Sequence, residues 1–468
     1  MNIPNARNSE AYDVVVVGCG PAGILAAYEL SEKTDLKILM LDKGPDIDKR
    51  KCPTSRGIGC ARCIPCSLLS GWGGAGAFSD GKLTLSSEVG GWLNEYLDGE
   101  ELNGLIDYVD KVYLKFGAPE RLYGTDFDKM EEIERKASLA GLKLVREKLR
   151  HLGTEECAQI LKRVKHSLEK RVQIRTNTEV KNLLVKGNHV SGVVVGDKEI
   201  NAKYVVAAPG RVGAEWLTEE AKRLGLKTLN NPVDVGVRVE VPAPVMEEIT
   251  QILYEPKFVF FSKSFDDKVR IFCVCPGGEV ITESYNDVIT VNGQSYAETK
   301  SGNTNFAILV STSFTEPFKE PIAYGKYIAR LANLLSGGII IQRLGDLEGG
   351  RRSTHERIAR NLVVPTLKTA TPGDLSFVLP YRYLSNIREM LRAMDQVSPG
   401  IYSKHTLLYG VEVKFYSSKL ELSNALETKI HNLFAVGDGA GVTRGLIQAS
   451  VSGVVAAKEI EKKEKQSK

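Results

Sequence analysis

From Tyr12 to Val17 the chain is apolar and rich in valine, stops at Gly18, and then spaces Ile24, Leu25, Ala27 and Leu30 at helical intervals. A buried strand feeding a helix gives this pattern. A second aliphatic run, Leu36 to Leu41, closes at Asp42, so residues 12 to 42 read as a βαβ unit of the kind that builds a parallel sheet. Residues 45 to 91 lose periodicity and fill with Gly, Cys, Ser and Pro. In a compact domain that texture predicts a functional loop with ligand contacts.

Dense Glu, Lys and Leu then predict helices over 97 to 170, and Arg171 to Ala208 reads as several strands with a turn at Lys186-Gly187-Asn188. Between about 236 and 400 the segments VGVRVEV, KFVFF, RIFCVC, VITVNG and FAILVSTSF predict a mainly antiparallel sheet, with a helix over 322 to 335. The opening texture returns at the end of the chain: Leu433 to Val436 as a strand, a glycine-rich turn at 437 to 441, and a helix from about Gly445 to Ile460. The lysine-rich end, KKEKQSK, reads as solvated.

These elements predict an α/β protein: a Rossmann-like nucleotide-binding domain, parallel sheet with helices, interrupted by a mainly antiparallel β domain. The expected division is 1-235 and 401-468 for the nucleotide-binding domain, with the loop 45-91 and the helical segment 97-170 in its first part. Residues 236-400 form the substrate or cap domain.

Composition narrows the class only a little. The chain has 468 residues, 43% of them hydrophobic and 26% charged, the balance of an ordinary globular protein. Its net charge of +4 stands on 62 basic and 58 acidic residues, too small an excess to argue for nucleic acid as a partner. The first ten residues are polar and no apolar run of membrane-spanning length follows, so neither a secretory signal nor a membrane span is expected and the cytoplasm is the expected location.

The chemistry-bearing motif is Gly18-Cys19-Gly20-Pro21-Ala22-Gly23, with Asp42 and Lys43 at the end of the second strand. Gly18 allows the tight turn, Gly20 admits a pyrophosphate to the backbone, and Gly23 lets helix and strand approach. The N-terminus of the helix, Pro21 and Ala22 included, offers free N–H groups and partial positive charge to phosphate. Asp42 would accept hydrogen bonds from the hydroxyls of an adenosine ribose. Taken alone, this turn fits NAD as readily as FAD.

A distant segment decides between them. Asn432-Leu-Phe-Ala-Val-Gly437-Asp438-Gly439-Ala440-Gly441 resembles the second FAD fingerprint of flavoproteins with the glutathione-reductase type of nucleotide fold. The resemblance implies that Asp438 holds the ribityl chain and that the helix opening near Gly445, Leu446 and Ile447 aims its positive end at the flavin, where charge gathers on reduction. Thr178-Glu179-Val180 and the run ending Ala207-Ala208-Pro209-Gly210 resemble the internal stretch of the same superfamily, which implies that the backbone at Val180 meets the adenine. Pro209 departs from the Thr common there.

Within that superfamily the chain is most similar to a branch known as FAD-dependent dehydrogenases or NAD(P)/FAD-dependent oxidoreductases. The residues that carry this are Gly71 to Lys82, Asp234 to Glu240, Cys275-Pro-Gly-Gly278 and Gly437 to Arg444. The branch implies a reaction type and no substrate. Read from its residues, the 70 to 82 segment has five glycines among thirteen residues. Gly73, Gly74, Ala75, Gly76, Ser79, Asp80 and Lys82 are therefore expected to line the cofactor, as is Gly210. Lys82 could stabilise an anionic reduced flavin or simply pair with Asp80.

Eight cysteines are present, and Cys52, Cys60, Cys63 and Cys66 crowd into fifteen residues. Their spacing matches neither a ferredoxin run nor a zinc ribbon, and leaves open an iron-sulfur cluster or zinc, a thiol redox pair, or reduced structural cysteines. Cys273 and Cys275 are expected to point to opposite faces of a strand and not to pair. Cys19 is read as a small packed residue. For proton transfer or substrate orientation the candidates are Lys82, Arg352, His355 and Glu412, with Arg238, Glu240 and Arg351 as further polar groups. His355 could equally sit at an exposed helix start capped by Ser353, with Glu356 at the third position.

The expectation is a FAD-dependent oxidoreductase, dehydrogenase or reductase, acting on an unidentified small molecule through the flavin N5, with NAD(P)H a candidate co-substrate. Other classes remain open: an electron-transfer protein relaying between FAD and an iron-sulfur cluster for a partner, a flavoprotein that modifies RNA, and a scaffold that holds the nucleotide without turnover.

Overall fold

The computed structural model describes residues 10–52, 63–229, 231–285, 288–296, 299–312, 320–414 and 419–467. The chain forms two compact units: 1–120, 154–231 and 417–468 make the first, 121–153 and 232–416 the second. The chain crosses between the units near 232 and near 417. A further excursion, 121–153, joins the second unit, although the dense Glu-Lys-Leu pattern had placed it with the first.

The first unit is built on a parallel core. Its sheet runs in the order Val172–Arg175, Ile38–Leu41, Glu10–Val17, Lys198–Ala207, His189–Val195, Val180–Lys186, and Leu433–Ala435 also pairs with Lys198–Ala207. The first strand is central because it is apolar on both faces: Val14, Val15 and Val16 are fully buried. It pairs in parallel with Ile38–Leu41 (Val14 opposite Ile38) on one side and with Lys198–Ala207 (Val15 opposite Val205) on the other. The hairpin Val180–Lys186 and His189–Val195 adds antiparallel strands at one edge. Two helices, Pro21–Lys33 and Leu446–Ser467, pack closely together.

The second unit is organised by an eight-stranded sheet in the order Thr371–Pro372, Ile340–Arg343, Leu407–Lys414, Val233–Pro242, Asn303–Thr312, Lys268–Pro276, Lys257–Phe261, Leu142–Val145. All pairings are antiparallel except the short first one. Along Val233–Pro242 the period is two. Val233, Val235, Val237, Val239 and Val241 enter a core with Met246, Ile249, Ile387 and Met390 of the helices Ala243–Leu253 and Tyr381–Val397. The alternate positions Arg238 and Glu240 face the other way and are equally buried.

Within the expected helical stretch 97 to 170, the helices are Gly99–Lys115, Phe127–Leu139 and Thr154–Leu168, and two strands, Leu142–Val145 and Lys148–His151, interrupt them. Over four residues an alternation such as Leu142-Lys-Leu-Val145 is too short to stand out from its charged surroundings. The helix expected at 322 to 335 is Pro321–Ser336. Among the described residues no helix is long and apolar enough to cross a membrane.

Candidate functional site

In the first unit, three glycine turns far apart in sequence come together at the ends of the central strands. Gly18 follows the first strand with φ at +108°, and a Cβ there would stand 2.1 Å from the Ala208 carbonyl oxygen. Only glycine fits. The helix Pro21–Lys33 then opens with no side-chain cap on its N-cap residue Gly20 and no acidic residue in its first turn. A helix start of this kind presents leading N–H groups and a positive end.

The 70 to 82 segment folds over this turn. Gly73 N–H donates to the Cys19 carbonyl at 2.8 Å, and a Cβ on Gly74 would stand 2.9 Å from the Gly20 Cα. A Cβ on Gly76 would meet Leu446 at 2.8 Å and Pro21 at 3.4 Å. The third turn arrives from the opposite end of the chain: a Cβ on Gly437 would stand 3.0 Å from Ala22, and one on Gly439 would be 2.7 Å from the Gly210 carbonyl. Gly18, Gly20, Pro21, Ala22, Gly74, Gly76, Gly210, Gly437 and Leu446 are thus neighbours in space.

Asp42 has a position the sequence did not show. Its carboxylate accepts three backbone N–H bonds at 2.8 Å each, from Gly44 and Gly71 on Oδ1 and from Cys19 on Oδ2. One buried carboxylate therefore fastens the fingerprint turn, the end of the second strand and the 71 turn to one another. A carboxylate has room for about four such bonds. Val180 is brought near by the backbone: Thr178 N–H donates to the Asp42 carbonyl at 2.7 Å, and Asn177 N–H to that of Gly44 at 2.8 Å. Lys43 follows Asp42 at the same corner.

Arg50, also missed in the sequence, ties the cysteine-bearing loop down. Its guanidinium donates to the carbonyls of Ser67 (2.9 Å), Trp72 (2.6 Å) and Leu68 (2.7 Å), and burial pulls it down to about 10. Cys60 lies outside the described residues, so the four-cysteine set cannot be drawn. Cys63 is exposed, Cys52 and Cys66 are half-buried. Cys19 is fully buried, as expected for a packing residue, and burial pushes its thiol up.

At the other end of the site, Asp438 accepts a hydrogen bond from Thr443 Oγ1 at 2.8 Å and faces Arg211 Nε at 3.6 Å. Burial raises its carboxyl above the ordinary value against the pull of these two groups. Ser452 accepts from the Gly437 N–H at 3.0 Å and so fixes the turn that carries Asp438. The helix Leu446–Ser467 has no acidic residue in its first turn, and Gly445, Leu446 and Ile447 lie at that positive end. A backbone clip precedes it: the Gly90 carbonyl accepts from both Arg444 N–H (2.7 Å) and Gly445 N–H (3.1 Å).

The remaining candidates separate. Lys82 pairs with Asp80 at 2.8 Å, the plainer of its two expected roles, just past Ser79, which closes its own turn by donating to the Gly76 carbonyl. Arg352 and His355 are exposed. The short helix His355–Ala359 is capped by Thr354, whose Oγ1 accepts from Arg357 N–H, and not by Ser353. Ser353 instead donates to Asp346 at 2.8 Å, which also holds Arg351 at 3.0 Å. Glu412 is fully buried beside Arg238 (3.5 Å) and Lys414 (3.0 Å). Glu240 accepts from Thr366 Oγ1 (2.6 Å), Asn303 Nδ2 (3.0 Å) and Tyr409 Oη (2.5 Å), the full set of partners of a structural buried carboxylate.

The first unit, a parallel sheet with glycine turns at its strand ends, is split in sequence by a second, β-rich unit. Residues 232–415 match the family model described as "FAD-dependent protein, C-terminal domain-like", which coincides with most of the second unit. The expected FAD-dependent oxidoreductase family agrees with this match, and FAD is the cofactor that the match and the paired glycine fingerprints both call for.

The chain is 27% identical over 472 aligned residues, covering 95% of it and 80% of the relative, to an uncharacterized protein of Clostridium beijerinckii (strain ATCC 51743 / NCIMB 8052). Among solved structures it is similar to L-proline dehydrogenase from P. horikoshii, at 12% identity and a TM-score of 0.43 over 97% of this chain and 94% of that one. It is also similar to glycine oxidase from Geobacillus kaustophilus, at 14% identity and a TM-score of 0.41 over 97% and 95%. Likeness at this level assigns neither substrate nor activity.

Proposed function

We propose that the first unit holds FAD across the three converging glycine turns and that the protein uses it to oxidise or reduce a small molecule. The observation that carries this is the convergence itself. The helix start at Gly20, the 73–76 turn and the 437–441 turn bring glycine backbone together, where phosphate and ring can approach main-chain N–H groups.

In this reading the N–H groups of the helix Pro21–Lys33 take the pyrophosphate. Asp42, with Lys43 beside it, keeps one acceptor direction for the adenosine ribose, and the backbone near Val180 meets the adenine. Gly73, Gly74, Ala75, Gly76 and Ser79 lie along the cofactor, with Asp80 and Lys82 as an ion pair at the end of that segment. Asp438 accepts from the ribityl hydroxyls, and the open end of the helix Leu446–Ser467 meets the flavin ring with a positive field. When bound, the flavin supplies two-electron chemistry at N5. The protein's residues supply position and a field that favours negative charge on the reduced ring.

The reading is tested by anaerobic titration of the purified holoprotein, following the flavin absorption while NADH, NADPH or candidate organic donors are added. Bleaching by one donor at a rate that saturates with its concentration is expected. A bound flavin that dithionite bleaches and no organic donor does would make the protein a nucleotide-holding scaffold and overturn the oxidoreductase reading.

A further inference from the structure

The second unit contains a pair of thiols that the sequence reading set apart. On a strand, residues two apart share a face, and the expectation that Cys273 and Cys275 point away from each other fails on that ground. It fails in the structure as well: the two sulfurs lie within 4.8 Å of each other. The local backbone explains the approach. The strand Lys268–Pro276 slips register against Asn303–Thr312 between Phe272 and Cys275, and Cys273 takes φ of +53°, a left-handed conformation that side-chain-bearing residues rarely adopt. A bulge re-aims side chains, and this one brings two sulfurs together.

One of the two is electrostatically prepared. Arg238, fully buried, donates from Nη2 to Cys275 Sγ at 3.2 Å and to the Cys273 carbonyl at 2.6 Å, while its Nε is held by Asn305 Oδ1 at 2.8 Å. Glu412 lies 3.5 Å from the other terminal nitrogen, and Lys414 in turn lies 3.0 Å from Glu412. Cys275 Sγ also sits 3.5 Å from the Cys273 carbonyl, the acceptor it uses as a thiol. A guanidinium aimed at sulfur favours the thiolate. Exposure divides the pair: Cys275 is buried and Cys273 half-buried, so an external reagent meets Cys273 first.

We propose that Cys273 and Cys275 form a redox-active dithiol, closing to an intrastrand disulfide at the expense of a low-molecular-weight disulfide. The Cys273 thiolate attacks one sulfur of that reagent, its S–S bond breaks, and the first small thiol leaves with the Cys273 proton. Cys275, held beside Arg238, then attacks Cys273 Sγ, and the second small thiol leaves with the Cys275 proton. Two cysteine sulfurs are oxidised and one small disulfide is reduced to two thiols. The step is independent of the flavin reading, and its readout does not involve flavin.

The test equilibrates the full chain in buffers of increasing oxidised-to-reduced glutathione ratio, quenches with acid, alkylates after denaturation and weighs the tryptic peptide 271–300, which contains both cysteines and no others. The expected result is an unalkylated peptide lighter by two hydrogens at the oxidised end. In Cys275→Ser the same treatment leaves a glutathione adduct on Cys273. With Arg238→Lys, closure should require a higher pH than in the parent chain. One equivalent of phenylarsine oxide, which bridges sulfurs at this separation, should protect both cysteines of the native chain from alkylation. A peptide that keeps two alkylatable thiols throughout, or that stops at a glutathione adduct on Cys273 in the parent chain, would overturn the proposal.

Discussion

Asp42 shows how one residue type can be legible in sequence for one reason and placed in the structure for another. Its distance from the fingerprint marks it as a ribose acceptor, yet its carboxylate is the joint of three loops through Cys19, Gly44 and Gly71. Backbone N–H partners leave no trace in a sequence, so this part of the site was invisible. Asp42→Ala leaves three N–H groups without their acceptor, and a loss of about 2–4 kcal/mol is expected from the worth of bonds to a charged group. Urea unfolding of the apoprotein measures it without reference to the cofactor. Gly18→Ala forces a Cβ onto the Ala208 carbonyl and should abolish flavin retention, read from the absorbance that co-purifies.

The same scale carries a pH dependence. The bidentate hydrogen bonds of Arg382, with one from Asn386, hold the Asp267 carboxyl below its ordinary value. A carboxyl whose folded value is depressed contributes stability that is whole above its unfolded value, about 3.9, and is lost as pH falls through the lower folded value. Arg382 is half exposed, so the contribution is discounted to about 1 kcal/mol or less. Unfolding curves from pH 6 down to acid should steepen below about pH 4 for the parent and less so for Asp267→Asn.

At the scale of elements, periodicity reported what it could. The buried strand Glu10–Val17, the helix after it and the C-terminal helix were legible because each is longer than its own period and differs sharply from its neighbours. The strands Leu142–Val145 and Lys148–His151 were not, since a four-residue alternation in a field of Lys, Glu and Leu looks like helix. Nor was the bulge at Cys273, which is set by tertiary pairing and not by local propensity.

Packing between helices gives an element-level expectation. Gly453, in the middle of the C-terminal helix, lies against the fingerprint helix so closely that a Cβ would stand 2.0 Å from the Ala22 carbonyl. Gly453→Val must push the two helices apart and should destabilise by about 1–3 kcal/mol, as overpacking does. Because Ala22 is in the first turn of the fingerprint helix, weaker flavin retention should accompany the lower melting temperature.

Across the whole molecule, the division of labour follows from the two sheets. A parallel sheet buried on both faces places strand ends and helix N-termini together, where phosphate binds. The antiparallel sheet of 232–416 buries valines on one face and Arg238, Glu240 and Glu412 on the other, so that unit carries its polar chemistry inside. The passage of 121–153 into the second unit has no local signature, because its strand Leu142–Val145 joins that unit's sheet through a pairing over a long sequence distance. On the proposed reading, in which FAD binds only the folded first unit, added FAD should raise the melting temperature of the stripped apoprotein. At one hundred times the dissociation constant the gain is about 2.7 kcal/mol.

The central claim is that the chain carries FAD in the cradle of its three glycine turns. Its most direct measurement is the flavin released by denaturing the purified, reconstituted protein, identified and quantified by chromatography. The account predicts one FAD per chain, in the dinucleotide form and not as FMN or riboflavin, and none in Gly18→Ala. A chain that stays folded yet retains no flavin after reconstitution, or retains it equally in Gly18→Ala, would contradict it.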